Sequence, residues 1–255
     1  MRIVIKIGTS NITYSPGCLN LRHVQKLVEI ISDIKNAGHE VLLVSSGAIA
    51  MGVGKLNLAD RPSDIAGKQA CAAVGQCELM YIYDKEFSAY NHTVAQLLLT
   101  APDLKNEDRH EKFKNTMSKL LELGALPIIN ENDTVATEEI VFGDNDTLAA
   151  LVAESVSADL LVLLSDIDGL YTADPHKNPD ARLLSEIYEI TDEIMALGGG
   201  SASALGTGGM ETKLRAARIV TSAGCDMIIA NGSNPDLLYD IMEGRSVGTR
   251  FYAKK

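Results

Sequence analysis

Residues Arg2–Ile7 read RIVIKI, and the small residues Gly8, Thr9 and Ser10 follow them directly. Four of the six strand residues are β-branched and apolar, which is typical of a strand buried on both faces. Similar runs recur at residues 40–44, 93–99, 127–130, 160–164 and 227–230. Segments with helical periodicity separate several of these runs. The alternation predicts an α/β fold, a three-layer α/β/α sandwich around a mostly parallel sheet.

The clearest helical segment is residues 20–36, where apolar side chains fall on one face. Asn20 suits the N-cap of this helix, and Gly38 lies just past its end. Three further apolar stripes have helical spacing. They lie at residues 113–121, 148–152 and 214–220.

The composition restricts the class of protein. The chain has 255 residues, 46% of them hydrophobic, and a net charge of −11, which argues against general attraction to nucleic acid or anionic lipid. The longest apolar uncharged stretch, residues 41–54, is shorter than the roughly 20 residues that span a bilayer. No secretory signal follows Met1, and the four cysteines lack metal-ligand spacing. We therefore expect one large cytoplasmic domain with reduced cysteines, and neither nucleic acid nor membrane as a partner.

Lys6 is unusual because it lies between Ile5 and Ile7 in a strand that reads as buried. A buried ammonium group loses hydration, which costs free energy unless an anion meets it. Parallel sheets bind ligands beyond the carboxyl ends of their strands, so Lys6 is a candidate for contact with an anion there. The alternative is an edge strand from which the Lys6 side chain reaches water.

Glycine-rich and hydroxyl-rich turns follow two of the strands. Residues 8–10 and 45–47 supply backbone N–H groups suited to phosphate. Residues 206–213 could do the same, with Lys213 one helical turn inside the next helix. The spacing of the glycines and the lysine in residues 206–213 does not fit a P-loop. No G-x-G-x-x-G follows the first strand. The alternative for this last segment is a surface loop with a solvent-exposed lysine.

Carboxylates and amides cluster at residues 130–133 (NEND) and 143–147 (GDNDT). Such groups can hold the ammonium of an amino acid and can orient lysines that would otherwise repel each other. Asp144 or Asn145 could instead be a helix N-cap. Asp166, which follows Ser165 after another strand, could contact a nucleotide or Mg²⁺, or could be a turn residue.

Six blocks of the sequence occur in the order found in the amino-acid kinases, and within that family they resemble the glutamate 5-kinases of proline biosynthesis. The resemblance covers nearly the whole chain. Relatives that act on aspartate open with a KFGGTS-like block, whereas this chain has KIGTS. The blocks are KIGTS at 6–10, SSGAIAMG at 45–52, NENDTVAT at 130–137, FGDND at 142–146, GLYTADP at 169–175 and GTGGMETK at 206–213.

The resemblance implies transfer of the γ-phosphoryl group of ATP to the side-chain carboxylate of L-glutamate, with Mg²⁺ bound to the nucleotide. It singles out no residue as a protein ligand of the metal. By the same resemblance, Lys6 and Lys213 correspond to the lysines that stabilise charge on the transferred phosphoryl group, and Asp146 corresponds to the residue that orients them. The implied glutamate contacts are Ser46, Asp133, Asn145, Asn130 and Asp144. The implied ATP contacts are Ser165, Asp166, Thr207, Gly208, Gly209, Met210, Glu211, Thr212 and Lys213.

The resemblance also implies inhibition by proline and assembly into a homo-oligomer. Many members carry an additional C-terminal domain that resembles RNA-binding modules, and we expect a single kinase domain over residues 1–255 without it. One alternative is another kinase that forms an acyl phosphate, on acetylglutamate, aspartate or carbamate. A second is a catalytically silent protein that binds nucleotide or amino acid, and the presence of Lys6, Lys213 and Asp146 together counts against it.

Overall fold

The computed structural model of the chain describes residues 1–15, 17–135, 145–175, 177–199 and 209–254. Its strands are β1 (Arg2–Ile7), β2 (Thr13–Tyr14), β3 (Cys18–Leu19), β4 (Glu40–Ser45), β5 (Val94–Leu99), β6 (Leu126–Glu131), β7 (Leu160–Ser165), β8 (Glu186–Ile187), β9 (Asp226–Asn231) and β10 (Thr249–Phe251). Its helices are α1 (Thr9–Ile12), α2 (Leu21–Asn36), α3 (Ala48–Lys55), α4 (Ile65–Ser88), α5 (Ala101–Lys105), α6 (Glu107–Glu122), α7 (Asn145–Ser155), α8 (Asp192–Ala196), α9 (Met210–Ser222) and α10 (Leu237–Met242).

Eight strands form one sheet in the order β5-β6-β4-β1-β7-β9-β10-β8. The pairings from β5 to β9 are all parallel, and β10 runs antiparallel to β9. The predicted mostly parallel sheet is therefore confirmed. Because β1 lies between β4 and β7, the alternative that placed Lys6 on an edge strand is wrong.

Helices cover both faces of the sheet. Ile3, Ile5 and Ile7 of β1 pack on the face covered by α2, α4 and α10. Val4 packs on the opposite face, which α6, α7 and α9 cover. Since successive strand residues point to opposite faces, Lys6 shares the face of Val4 and is directed towards α7 and α9. The three-layer sandwich is confirmed, and it brings one charged side chain under two helices.

The predicted helix at residues 20–36 is also confirmed. The side chain of Asn20 accepts a hydrogen bond from the His23 N–H at 3.3 Å, as an N-cap does, and Gly38 has a φ of +93° just past the helix end. In the described ranges no helix has the length and apolar character to cross a membrane.

Helices α3 and α4 approach closely through glycine. A Cβ atom added to Gly75 of α4 would lie 1.8 Å from the carbonyl oxygen of Ala48, the first residue of α3. A Cβ atom on Gly52 of α3 would lie 1.9 Å from the Cys71 carbonyl oxygen. Contacts this short leave no room for a methyl group. The start of α3, directly after the end of β4, is therefore held in place by α4.

We predict that Gly75→Ala destabilises the fold by about 1–3 kcal/mol, because the methyl group overpacks the contact with Ala48. Alanine is intrinsically about 1 kcal/mol better than glycine inside a helix, so a loss of stability would report the helix contact itself. Chemical denaturation measures the free energy of unfolding. The control is Gly199→Ala, where the nearest atom to an added Cβ is 3.4 Å away and the change should stay within about 0.5 kcal/mol. A Gly75→Ala variant as stable as the parent chain would contradict the prediction.

Candidate active site

Three charged side chains from distant parts of the sequence meet at the carboxyl edge of the sheet. Lys6 Nζ lies 2.5 Å from Asp146 Oδ1, and Lys213 Nζ lies 3.0 Å from Asp146 Oδ2. Lys6 is 8% exposed, Lys213 4% and Asp146 0%. Asp146, the second residue of α7, thus joins Lys6 in β1 to Lys213 in the first turn of α9. The alternative that made Lys213 a solvent-exposed lysine is wrong.

The trio combines two positive charges and one negative charge in a buried position. Burial alone raises the pKa of Asp146, but the ammonium groups of Lys6 and Lys213 outweigh burial and hold that pKa below its ordinary value. Asp146 is therefore ionised at neutral pH. Taken by themselves, two ammonium groups and one carboxylate carry one net positive charge, and their burial makes the interactions between these charges strong.

Asn145, the residue before Asp146, joins the ends of two strands. Its NH₂ group (Nδ2) shares two hydrogens among three acceptors: the Ser45 carbonyl oxygen at 3.2 Å, Ser46 Oγ at 2.8 Å and Asn130 Oδ1 at 2.9 Å. A carbonyl oxygen can only accept, so the Ser45 contact fixes this amide atom as nitrogen. Ser46 Oγ consequently accepts from Asn145, which leaves the hydroxyl hydrogen of Ser46 free to donate to a ligand.

Beneath these groups α4 supplies two buried polar side chains that sequence reasoning missed. The Tyr83 hydroxyl lies 2.9 Å from Ser45 Oγ, and burial raises the pKa of Tyr83 to about 12 although the Ser45 contact opposes the shift. Gln76 Oε1 accepts from Asn130 Nδ2 at 2.9 Å. No simple apolar stripe in the sequence of α4 signals them, because its buried face mixes apolar and polar side chains.

A small pocket, here called the α4 pocket, lies beside Asn130. Burial raises the pKa of Asp133 in its wall, and the positive charge of Arg61 opposes that shift. In the described residues no donor lies within hydrogen-bond distance of the Asp133 carboxylate, so a ligand cation could compensate it. The lining residues are Ala48, Ala72, Gln76, Leu98, Glu131, Asn132, Asp133 and Thr134.

The described residues among the predicted nucleotide contacts lie at two ends of secondary structure. Ser165 ends β7, and its hydroxyl donates to Asp166 Oδ1 at 3.1 Å. Gly209 precedes α9, whose first turn holds Met210, Glu211 and Thr212.

Their individual contacts differ. Met210 is buried in the core, Glu211 pairs with Arg215 at 2.6 Å, and the Thr212 hydroxyl donates to the Gly209 carbonyl at 2.7 Å. The predicted contacts Asp144, Thr207 and Gly208 lie outside the described residues. Over the described ranges, no group of three or more His, Cys, Asp or Glu side chains is placed to hold a metal ion.

Comparison with solved structures shows the fold. A carbamate kinase from Giardia lamblia bound to AMP-PNP superposes with a TM-score of 0.71 at 20% identity, over 99% of this chain and 98% of that one. A UMP kinase from Ureaplasma parvum gives a TM-score of 0.67 at 18% identity, over 98% of both chains. The amino-acid kinase-like architecture expected from the sequence is confirmed.

Comparison of sequences gives the family. The model of the amino acid kinase family matches residues 1–231. The chain is 55% identical to a glutamate 5-kinase of Clostridium perfringens (strain 13 / Type A), over all of this chain and 96% of the relative. It is also 55% identical to a glutamate 5-kinase of Carboxydothermus hydrogenoformans, over all of this chain and 68% of the relative. The chain therefore belongs to the amino acid kinase family and, within it, to the glutamate 5-kinases.

Proposed function

We propose that this chain transfers the γ-phosphoryl group of MgATP to the side-chain carboxylate of L-glutamate, which yields glutamyl 5-phosphate and ADP. A carboxylate oxygen attacks the γ-phosphorus as the bond to the β,γ-bridging oxygen of ATP breaks, and ADP leaves with that electron pair. A carboxylate is already a nucleophile and needs no general base, so positioning and charge stabilisation carry the catalysis. The observation that carries the proposal is the buried trio of Lys6, Asp146 and Lys213.

Each member of the trio has a role in this reaction. Lys6 and Lys213 act on the equatorial oxygens of the phosphoryl group, where negative charge is spread in the transition state. Asp146 keeps the two ammonium groups together and oriented, as its contacts of 2.5 and 3.0 Å support. Mg²⁺ enters as part of the nucleotide substrate. Ser165, Asp166 and the start of α9, with Thr207 and Gly208 before it, remain the proposed nucleotide contacts.

The acceptor amino acid binds beside this trio. Ser46 donates its hydroxyl hydrogen to the substrate. Asn145 holds Ser46 in place and is itself held by Asn130. The ammonium group of glutamate pairs with the Asp133 carboxylate. Partial burial disfavours the charged form of this carboxylate, and the ammonium group compensates for that cost. Asp144 remains a proposed contact of the same substrate.

Four further expectations stay predictions: a homo-oligomer, a cytoplasmic location, one kinase domain over residues 1–255, and inhibition by proline. The catalytically silent alternative is not favoured, because full-length similarity to glutamate 5-kinases accompanies the buried trio. The choice of acceptor is open to direct test.

We predict hydroxamate formation with L-glutamate, ATP, Mg²⁺ and hydroxylamine. The kcat/KM should be at least ~10²-fold lower with N-acetylglutamate, because acetylation leaves the half-buried Asp133 carboxylate without a cation. The trapped acyl phosphate and the released ADP are both measured. In Asp133→Asn the preference for the free amine should shrink. Equal turnover of the two acceptors by the parent chain would contradict the assignment.

We predict that Lys6→Ala or Lys213→Ala lowers kcat by roughly 10²–10³-fold, by analogy with removal of one oxyanion donor, while the KM for glutamate changes little. Both lysines act on the same charge, so the double variant should lose less than the product of the single losses. Thermal midpoints separate this effect from unfolding.

The control for the lysine variants is Lys112→Ala, which removes a lysine from an exposed pair with Asp108 on α6 and should turn over normally. Wild-type turnover by Lys213→Ala would remove Lys213 from the catalytic residues.

We predict that free proline inhibits the chain competitively with glutamate. Proline also carries an ammonium and a carboxylate group, so it can compete for the contacts that hold the α-end of glutamate. Because the two ligands would exclude each other, raising the glutamate concentration should relieve the inhibition. Initial rates over a grid of both concentrations test this. An active enzyme that proline leaves unaffected would refute it.

A further inference from the structure

Gln76 lies in the middle of α4, is 7% exposed and forms part of the wall of the α4 pocket. We propose that its side-chain NH₂ group donates a hydrogen bond to the α-carboxylate of the acceptor amino acid, and that Gln76 thereby selects substrates that carry this carboxylate. The proposal rests on the proposed function, because it adds one contact to the substrate named there.

The backbone fixes the direction of the hydrogen bond that Gln76 makes. The N–H of Glu131 can only donate, so the Asn130 atom that it contacts at 2.9 Å is the oxygen Oδ1. The other end of that amide is therefore NH₂, and it donates to Gln76 at 2.9 Å. Gln76 must accept with Oε1, which leaves its own NH₂ group for another partner.

That NH₂ group is available to a ligand. In the part of the chain that the structure describes, no acceptor lies within hydrogen-bond distance of Gln76 Nε2, and the atom is not sealed inside the core. Asn132 also lines the pocket, but its amide contacts a hydroxyl, which can donate or accept and so fixes no direction. The hydrogen bonds of Asn130 thus fix the orientation of the Gln76 amide and leave its NH₂ group available to a ligand.

The position of Gln76 indicates which end of the substrate it contacts. Contacts lead from Asn145, next to Asp146, to Asn130 and from there to Gln76. The carboxylate that receives the phosphoryl group lies beside the two lysines, at the opposite end of this series of contacts. Gln76 therefore meets the α-end of the amino acid.

The chemistry of the donor then selects one group at that α-end. An NH₂ donor suits a carboxylate and cannot bind an ammonium group. The ammonium group is matched instead by the Asp133 carboxylate in the same pocket wall. Gln76 and Asp133 would thus hold the two charged groups on the α-carbon, each by the opposite polarity.

A purely structural role for Gln76, to hold Asn130, makes different predictions. Gln76→Glu keeps an oxygen to accept from Asn130 and replaces only the NH₂ group, so a structural role would leave glutamate binding unchanged. Under our proposal the new carboxylate repels the α-carboxylate. Gln76→Met, of similar volume, removes both bonds and serves as a second variant.

The experiment compares L-glutamate with its α-amide, in which the α-carboxylate is a neutral carboxamide. In Gln76→Glu the KM for glutamate should rise roughly 10- to 100-fold, the loss expected for a hydrogen bond to a charged group. The KM for ATP and the kcat at saturating glutamate should stay close to those of the parent chain. The preference for glutamate over the α-amide, as a ratio of kcat/KM values, should fall at least ~10-fold in both variants.

Gln25→Glu is the matched control, because it makes the same change of charge on an exposed position of α2 and should keep the parent KM and preference. An unchanged KM in Gln76→Glu, or an equal loss on both substrates in Gln76→Met, would overturn the proposal. If the parent chain did not phosphorylate glutamate at all, the proposed function would fail instead. The activity of the parent chain with L-glutamate is therefore measured before that of any variant.

Discussion

The Asp146 carboxylate lies between two buried ammonium groups, and the rest of the site depends on that contact. Without it, Lys6 and Lys213 would lose hydration and would also repel each other at close range. With it, both lysines can stay under the helices, and their pairing keeps Asp146 ionised. The three groups by themselves carry one net positive charge, and they lie buried at the carboxyl edge of the sheet. Under the proposed function, the phosphoryl group is the anion that binds at this position.

The sheet makes this contact possible through its alternation of faces. Lys6 lies on the same face of β1 as Val4, which packs under α7 and α9, and the first turns of those helices carry Asp146 and Lys213. The apolar side chains on this face exclude water from around the trio. A lysine one position earlier or later in β1 would point to the opposite face, towards α2 and α4. The position of Lys6 beside Asp146 is therefore tied to the register of a single central strand.

Much of the fold was predictable from the sequence because the central strands are apolar and short and are bounded by clear turn residues. Lys6 stood out for the same physical reason, as a charge in a buried strand. Helix α4 was not predictable in this way, since its buried face includes Gly75 and Gln76 among apolar residues and so forms no simple stripe. Gln76 and Tyr83, the polar groups that α4 carries beneath the site, were missed with it. The pairing of Asp146 with Lys6 and Lys213 could be predicted only from the family resemblance, because the three residues are far apart in the chain.

The strand ends also decide which atoms the site offers to a ligand. The Ser45 carbonyl at the end of β4 fixes Asn145 as a donor, and the Glu131 N–H at the end of β6 fixes the acceptor side of Asn130. Each backbone group can play only one part in a hydrogen bond, so the amides that follow have no freedom to reverse. The result is an ordered polarity across the site, with donors at Ser46 and Gln76 and a carboxylate at Asp133. A molecule with an ammonium group and carboxylates at both ends matches that order, whereas an uncharged molecule of the same size would leave the Asp133 carboxylate without a cation.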